Sequence, residues 1–159
     1  MSESVSAFQP SSPSHLRAVP PLIEPGRRVR SIDELLAEVR TRIDRYEPVE
    51  AARRGAAGAL LVDTRSAALR AEQGAVPGAL VVERNVLEWR LDPRSEWRLP
   101  EITGPDVEIL VICAEGYSSS LVADTLRTLG HPRSADVIGG VQAWIAAGLP
   151  VDRGADPRS

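Results

Sequence analysis

Ile109-Leu110-Val111-Ile112 is an unbroken apolar run, mostly β-branched, and Cys113 follows it directly. A run without a polar face predicts a strand covered on both sides. Beyond Cys113 comes a short polar stretch, Ala114 to Ser120. Leu121, Val122, Thr125, Leu126 and Leu129 then recur at helical spacing, and Gly130 and Pro132 stop the pattern. Strand end, Gly-containing loop and helix start therefore meet at the chain's only cysteine. In that setting the loop turns its N–H groups inward, Ser118 to Ser120 offer caps, and the helix dipole adds positive potential. Such a cradle lowers a thiol pKa and stabilises an anion on the sulfur.

The rest of the chain alternates between helical and strand patterns. Ser31-Ile32-Asp33-Glu34 has capping-box spacing, and Ile32, Leu35, Leu36, Val39 and Ile43 predict a helix running to about Tyr46. A second helix is predicted from Pro48 to Arg54, stopped by Gly55. Ala59 to Asp63, Leu80 to Val82 and Asp136 to Ile138 read as further strands. Ser66–Gln73, Val86–Leu91 and Val141–Ala147 read as helices, and Arg94–Asp106 as a loop. Short apolar strands alternating with helices, without hairpin signals, predict a parallel α/β sheet with helices on both faces. Ligands of such sheets bind outside the carboxyl ends of the strands, where the pattern puts Cys113.

Residues 1–28, rich in Ser and Pro, are expected to form a disordered or loosely packed arm. Residues 29–153 are expected to form one domain, with a helical extension over about 31–55 and a core over about 58–151. A net charge of −3 without a basic block gives nucleic-acid binding no support. No apolar run approaches the roughly 20 residues that span a bilayer. The N-terminus lacks a signal-peptide core, and a charged helix follows Arg27-Arg28, so neither export reading holds. A lone cysteine fits a reducing compartment, and the expected location is the cytoplasm.

From about Gly58 to Val151 the chain resembles a single-domain rhodanese, a thiosulfate sulfurtransferase-like module. The residues that carry the resemblance are Leu61-Val62-Asp63-Thr64-Arg65, Gly74-Ala75-Val76-Pro77-Gly78-Ala79, Cys113 with Gly116 and Ser119, and Gly139-Gly140-Val141-Gln142-Ala143-Trp144 with Gly148-Leu149-Pro150. The resemblance implies a rhodanese-like three-layer fold with a parallel sheet of about five strands. It implies that Cys113 takes sulfane sulfur from a small donor such as thiosulfate and passes it, as a persulfide, to a thiol, a cyanide-like acceptor or a protein. No cofactor is implied, and the chain would act as a monomer or homodimer. Ala114, Glu115, Gly116, Tyr117, Ser118 and Ser119 would form the substrate loop. Asp63 and Arg65 match a pair that buttresses this loop by charge-assisted hydrogen bonds. Glu83, Arg84 and Asn85 would lie near the pocket mouth.

The loop departs from the family's C-x-x-G-x-R-S form. Ser118 stands where arginine is expected, Ala114 follows the cysteine, and Glu115 adds negative charge. Arg84, or Arg90 from the next turn, is the candidate for the missing cation. The departure also motivates a second reading, a binding, regulatory or redox-sensing module with little turnover. Phosphoryl transfer on the related fold would need arginine at Ser119 and is disfavoured.

Cys113 could instead be an inert buried thiol, but the polar loop and helix start predict an exposed, reactive one. A serine-hydrolase reading lacks both a base and the G-x-S-x-G elbow. One cysteine and two distant histidines make no metal site. His131 reads as a surface turn residue, Trp144 as core, and Tyr117 as pocket wall or loop packing. Trp89 and Trp97 read as packing the long loop over the site or lining it.

Overall fold

The computed structural model describes Gly26 and residues 28–154, so nearly all of the expected N-terminal arm lies outside the described residues. The elements in chain order are α1 (Ile32–Arg40), β1 (Asp44–Tyr46), α2 (Pro48–Ala56), β2 (Leu60–Asp63), α3 (Ala67–Gln73) and β3 (Leu80–Val81). There follow α4 (Leu87–Leu91), β4 (Ile109–Ile112), α5 (Ser118–Thr128), β5 (Ser134–Val137) and α6 (Gly140–Ala146). The strands form one parallel sheet in the order β1-β5-β4-β2-β3. This is the α/β architecture that the alternating pattern predicts.

β4 is the central strand, and all four of its side chains are 0% exposed. Alternation along the strand divides them between two cores. Ile109 and Val111 join Val39 and Ile43, Leu87 and Leu91 of α4, and Val122 and Leu126 of α5. Leu110 and Ile112 join Ala51 of α2 and Val141 and Trp144 of α6 on the other face. Each such burial is worth roughly 1.5–3 kcal/mol. The strand is therefore held from both sides, and Cys113 at its end starts from a fixed point.

α1 begins with the expected capping box. The Glu34 N–H donates to Ser31 Oγ at 3.1 Å, and Glu34 Oε2 accepts from the Ser31 N–H at 2.9 Å. The helix ends at Arg40 rather than near Tyr46, and Asp44–Tyr46 forms an edge strand paired with Ala135–Val137. Ile43 is buried in the same core as Val39, which extends the helical spacing past the point where the helix has stopped. The edge strand is specified by backbone bonds to β5 and has no apolar run of its own.

His131 is 0% exposed, which corrects the surface-turn expectation. The turn is present, since the His131 N–H donates to Leu126 O at 3.0 Å. The ring, however, folds inward to place Nε2 at 2.7 Å from Leu91 O. That carbonyl ends α4 and has no partner within its own helix. Trp144 is core as expected, with its Nε1–H donating to Pro150 O at 3.0 Å. Trp89 and Trp97 remain 59% and 65% exposed, so neither is packed down as a cover. Among the described residues no helix is long and apolar enough to cross a membrane.

Candidate functional site

Cys113 leaves β4 into the loop that opens α5, and the back of the loop is fastened to the start of α6. The Val141 N–H donates to Cys113 O at 2.8 Å, and the Gln142 N–H donates to Ala114 O at 3.0 Å. The Gln142 side chain adds a bond from Nε2 to Glu115 Oε1 at 3.0 Å. The two backbones approach so closely that a Cβ on Gly140 would lie 2.4 Å from Cys113 O. Gly116 turns the loop with φ +81°, a conformation that side chains rarely adopt. The expected loop residues Ala114 to Ser119 are thus one fastened turn between β4 and α5.

Inside that turn the sulfur has defined partners. The Gly116 N–H donates to Cys113 Sγ at 3.2 Å, and Ser119 Oγ lies 3.3 Å from the same atom. Burial pushes the thiol up. Hydrogen bonds from the Ser119 and Ser118 hydroxyls and from the Ser119 and Gly116 amides outweigh burial and hold the thiol below its ordinary pKa. These contacts favour the ionised over the neutral sulfur. The site is less open than expected, because Cys113 is only 6% exposed. Ser119, itself fully buried, packs beside the sulfur and closes that side.

The serines do not cap α5. Tyr117 occupies the N-cap position without a side-chain bond, and Ser118 is already helical. A buried carboxylate competes for the other two hydroxyls. Ser120 Oγ donates to Asp136 Oδ2 at 2.7 Å, and Ser119 Oγ lies 3.3 Å from the same oxygen. Arg45 closes the group, donating from Nε to Asp136 Oδ1 at 2.8 Å and from Nη2 to Oδ2 at 3.1 Å. Asp136 is 0% exposed and lies opposite Arg45 in the β1–β5 register. On the outer side Arg40 donates from Nε to Ser120 Oγ at 3.1 Å and from Nη2 to Gly116 O at 2.9 Å.

Arg40, Arg45 and Asp136 are site residues that the sequence reading missed. An aspartate in a strand whose residues are all buried is a usable signal for Asp136. Arg40 gives none, because Ser120 lies eighty positions further along the chain.

Asp63 and Arg65 form a buried ion pair, with Nη2 at 2.6 Å from Asp63 Oδ2. The pair's remaining bonds run to Gln73 Oε1 at 3.2 Å and Gly74 O at 2.9 Å. Its direct ties are therefore to the turn after α3. The Cys113 loop is reached only through the neighbouring strand, where the Thr64 N–H donates to Ile112 O at 3.0 Å. Of the expected cations, Arg84 is exposed and paired with Glu88 at 2.6 Å, and Arg90 donates to Trp97 O at 2.8 Å. Tyr117 is 57% exposed, with the Arg40 guanidinium 5.7 Å from its ring centre.

The family model of the rhodanese-like domain matches residues 47–147. An adenylyltransferase and sulfurtransferase of Candida albicans is 33% identical over 69 residues, 43% of this chain. The match spans 16% of that relative's length. A protein of unknown function and possible tyrosine phosphatase from Rhodopseudomonas palustris superposes with TM-score 0.71 at 29% identity, covering 79% of this chain and 97% of that one. The polysulfide-sulfur transferase homodimer of Wolinella succinogenes superposes with TM-score 0.62 at 20% identity, covering 77% of this chain and 88% of that one. At that identity the likeness is one of fold.

Proposed function

The chain belongs to the rhodanese-like domain family, and from that premise we propose that it is a sulfurtransferase carrying sulfane sulfur as a persulfide on Cys113. The carrying observation is the sulfur itself, held by the Gly116 N–H and the Ser119 hydroxyl, with the thiol below its ordinary pKa. Curated similarity to a sulfurtransferase supports the same reading. In the first half-reaction the Cys113 thiolate attacks the outer sulfur of thiosulfate. The new S–S bond forms as the donor's S–S bond breaks, and sulfite leaves with the electron pair. In the second, a thiol, cyanide or protein acceptor attacks the terminal sulfur and regenerates the thiolate. The two steps are ping-pong in form because the intermediate is covalent. Loop amides from Ala114 to Ser119 hold the terminal sulfur, with Asp63 and Arg65 steadying the neighbouring strand.

The phosphatase suggestion attached to the Rhodopseudomonas protein is not carried over. The position that would hold the equatorial phosphate oxygens here is Ser119, a neutral and fully buried side chain.

A second reading, a binding or redox-sensing module, draws on the 6% exposure of Cys113. Intact mass after brief incubation with thiosulfate separates the two. A gain of one sulfur, removed by cyanide, is expected. If no sulfur is gained although iodoacetamide alkylates Cys113, either the donor is not thiosulfate or the chain has a binding role. Arg84 is the candidate cation for an anionic donor, once freed from Glu88. Arg84→Ala is expected to raise the donor KM severalfold with kcat unchanged, the signature of lost uniform binding. Unaltered steady-state kinetics remove Arg84 from the site.

A further inference from the structure

Arg40 reaches the cysteine loop from a helix outside the segment that defines the family. α1 ends at Arg40, whereas the family match begins at residue 47. Among the described residues the guanidinium meets neutral acceptors at hydrogen-bond distance, the Ser120 hydroxyl and the Gly116 carbonyl. Its charge is therefore not cancelled by a carboxylate among these contacts. Gly116 is held at both ends, its N–H on Cys113 Sγ at 3.2 Å and its carbonyl on Arg40 at 2.9 Å. A glycine has more backbone freedom than any other residue, so this second tie narrows the range of the first.

The Ser120 contact acts on the hydroxyl protons. Ser120 Oγ already accepts from Arg40, so its own proton points to Asp136 Oδ2 at 2.7 Å. With Arg45 also on that carboxylate, Asp136 has three donors without Ser119. Ser119 Oγ lies 3.3 Å from both Asp136 Oδ2 and Cys113 Sγ. Its proton can turn from carboxylate to sulfur when Cys113 ionises, and Asp136 stays satisfied.

We infer that Arg40 is a positioning residue for Cys113: by pinning Gly116 and Ser120 it supplies, from α1, the cationic support that the loop lacks at Ser118. As a statement about sulfur transfer this rests on the function proposed above. As a statement about the thiol it is tested without any sulfur donor. The charged groups around the loop are Arg40 on α1, Arg45 on β1, Asp136 on β5, Glu115 in the loop itself, and the buried Asp63–Arg65 pair on the β2 side.

The test is the pH dependence of Cys113 alkylation by iodoacetamide in the full chain. Arg40→Met is expected to move the reactivity midpoint upward by on the order of one pH unit, slowing alkylation near neutral pH about tenfold. Arg40→Lys, which can reach one of the two acceptors, is expected to recover part of the shift. Arg42→Met is the docking control, because Arg42 ties the end of α1 to Asp124 of α5 and does not touch the loop. It is expected to keep the wild-type midpoint. Should Arg40→Met not fold, Arg40→Gln reads out the same shift while keeping a neutral donor. A wild-type midpoint in the folded Met or Gln variant overturns the inference. So does an equal shift in Arg42→Met, which would assign the effect to helix docking. Absence of sulfur loading in the wild type bears only on the proposed function.

Discussion

Cys113→Ser is expected to take up no sulfur from thiosulfate and to keep the fold. A serine hydroxyl is un-ionised near neutral pH and has no histidine beside it here, since the only described one, His131, is buried against Leu91 O. Structurally the exchange is mild. The serine oxygen is slightly smaller than sulfur and can accept the same Gly116 N–H and meet the same Ser119 hydroxyl. A hydroxyl that keeps these partners avoids most of the roughly 1–3 kcal/mol penalty of an unsatisfied buried polar group. Intact mass and thermal unfolding measured on one preparation check both halves. Because the chain has one cysteine, any sulfur retained by the serine variant cannot be a cysteine persulfide. An unfolded variant would make Cys113 a structural thiol and remove it from catalysis.

The same comparison has a pH dependence whose sign follows from the lowered thiol pKa. A group depressed in the folded state contributes stability that is fully present above its unfolded pKa, about 8.5 for a thiol. That contribution is lost as pH falls through the folded value. The wild type is therefore expected to gain on the serine variant as pH rises from neutral towards about 9.

What was legible in the sequence followed from how locally it was encoded. Ile109 to Ile112 announce a two-sided strand because so short a run, mostly β-branched, suits a strand better than a helix, and all four are buried. The turn at Cys113 was legible for the same reason, since strand end, glycine and helix start lie within a few residues of it. Asp63 and Arg65 are two positions apart, so the pair was visible, but its partners Gln73 and Gly74 depend on how α3 returns to the strand. The serines show the limit most clearly. Capping is a local rule, and it was overridden by Asp136, which arrives from β5 to take the Ser119 and Ser120 hydroxyls. Arg40 and Arg45 meet their partners only once β1 and α1 have docked on β5 and α5. His131 is the same case: its turn is local, whereas the carbonyl that draws the ring inward is forty positions earlier.

Gly140→Ala separates loop geometry from thiol chemistry. Gly140 has φ +60°, where a side chain costs roughly 1–2 kcal/mol. A Cβ there would sit 2.4 Å from Cys113 O, 2.7 Å from the Ala114 carbonyl carbon and 2.7 Å from the Glu115 nitrogen. All three are backbone atoms of the cradle, so no side chain can swing aside to relieve the contact. Relief requires the loop to part from α6, which breaks the bonds from Val141 N to Cys113 O and from Gln142 N to Ala114 O. Each is worth roughly 0.5–1.5 kcal/mol. A loss on the order of 3–5 kcal/mol is therefore expected by denaturant unfolding, together with loss of sulfur loading, since the displaced carbonyl belongs to Cys113 itself. Gly55→Ala provides the contrast. Gly55 lies within α2 with nothing within 4 Å of the added carbon. That exchange is expected to stabilise by about 0.5–1 kcal/mol and leave loading untouched. A Gly140→Ala protein with wild-type stability and loading would mean that α6 does not hold the cradle shut. The thiol's reactivity would then not depend on that fastening.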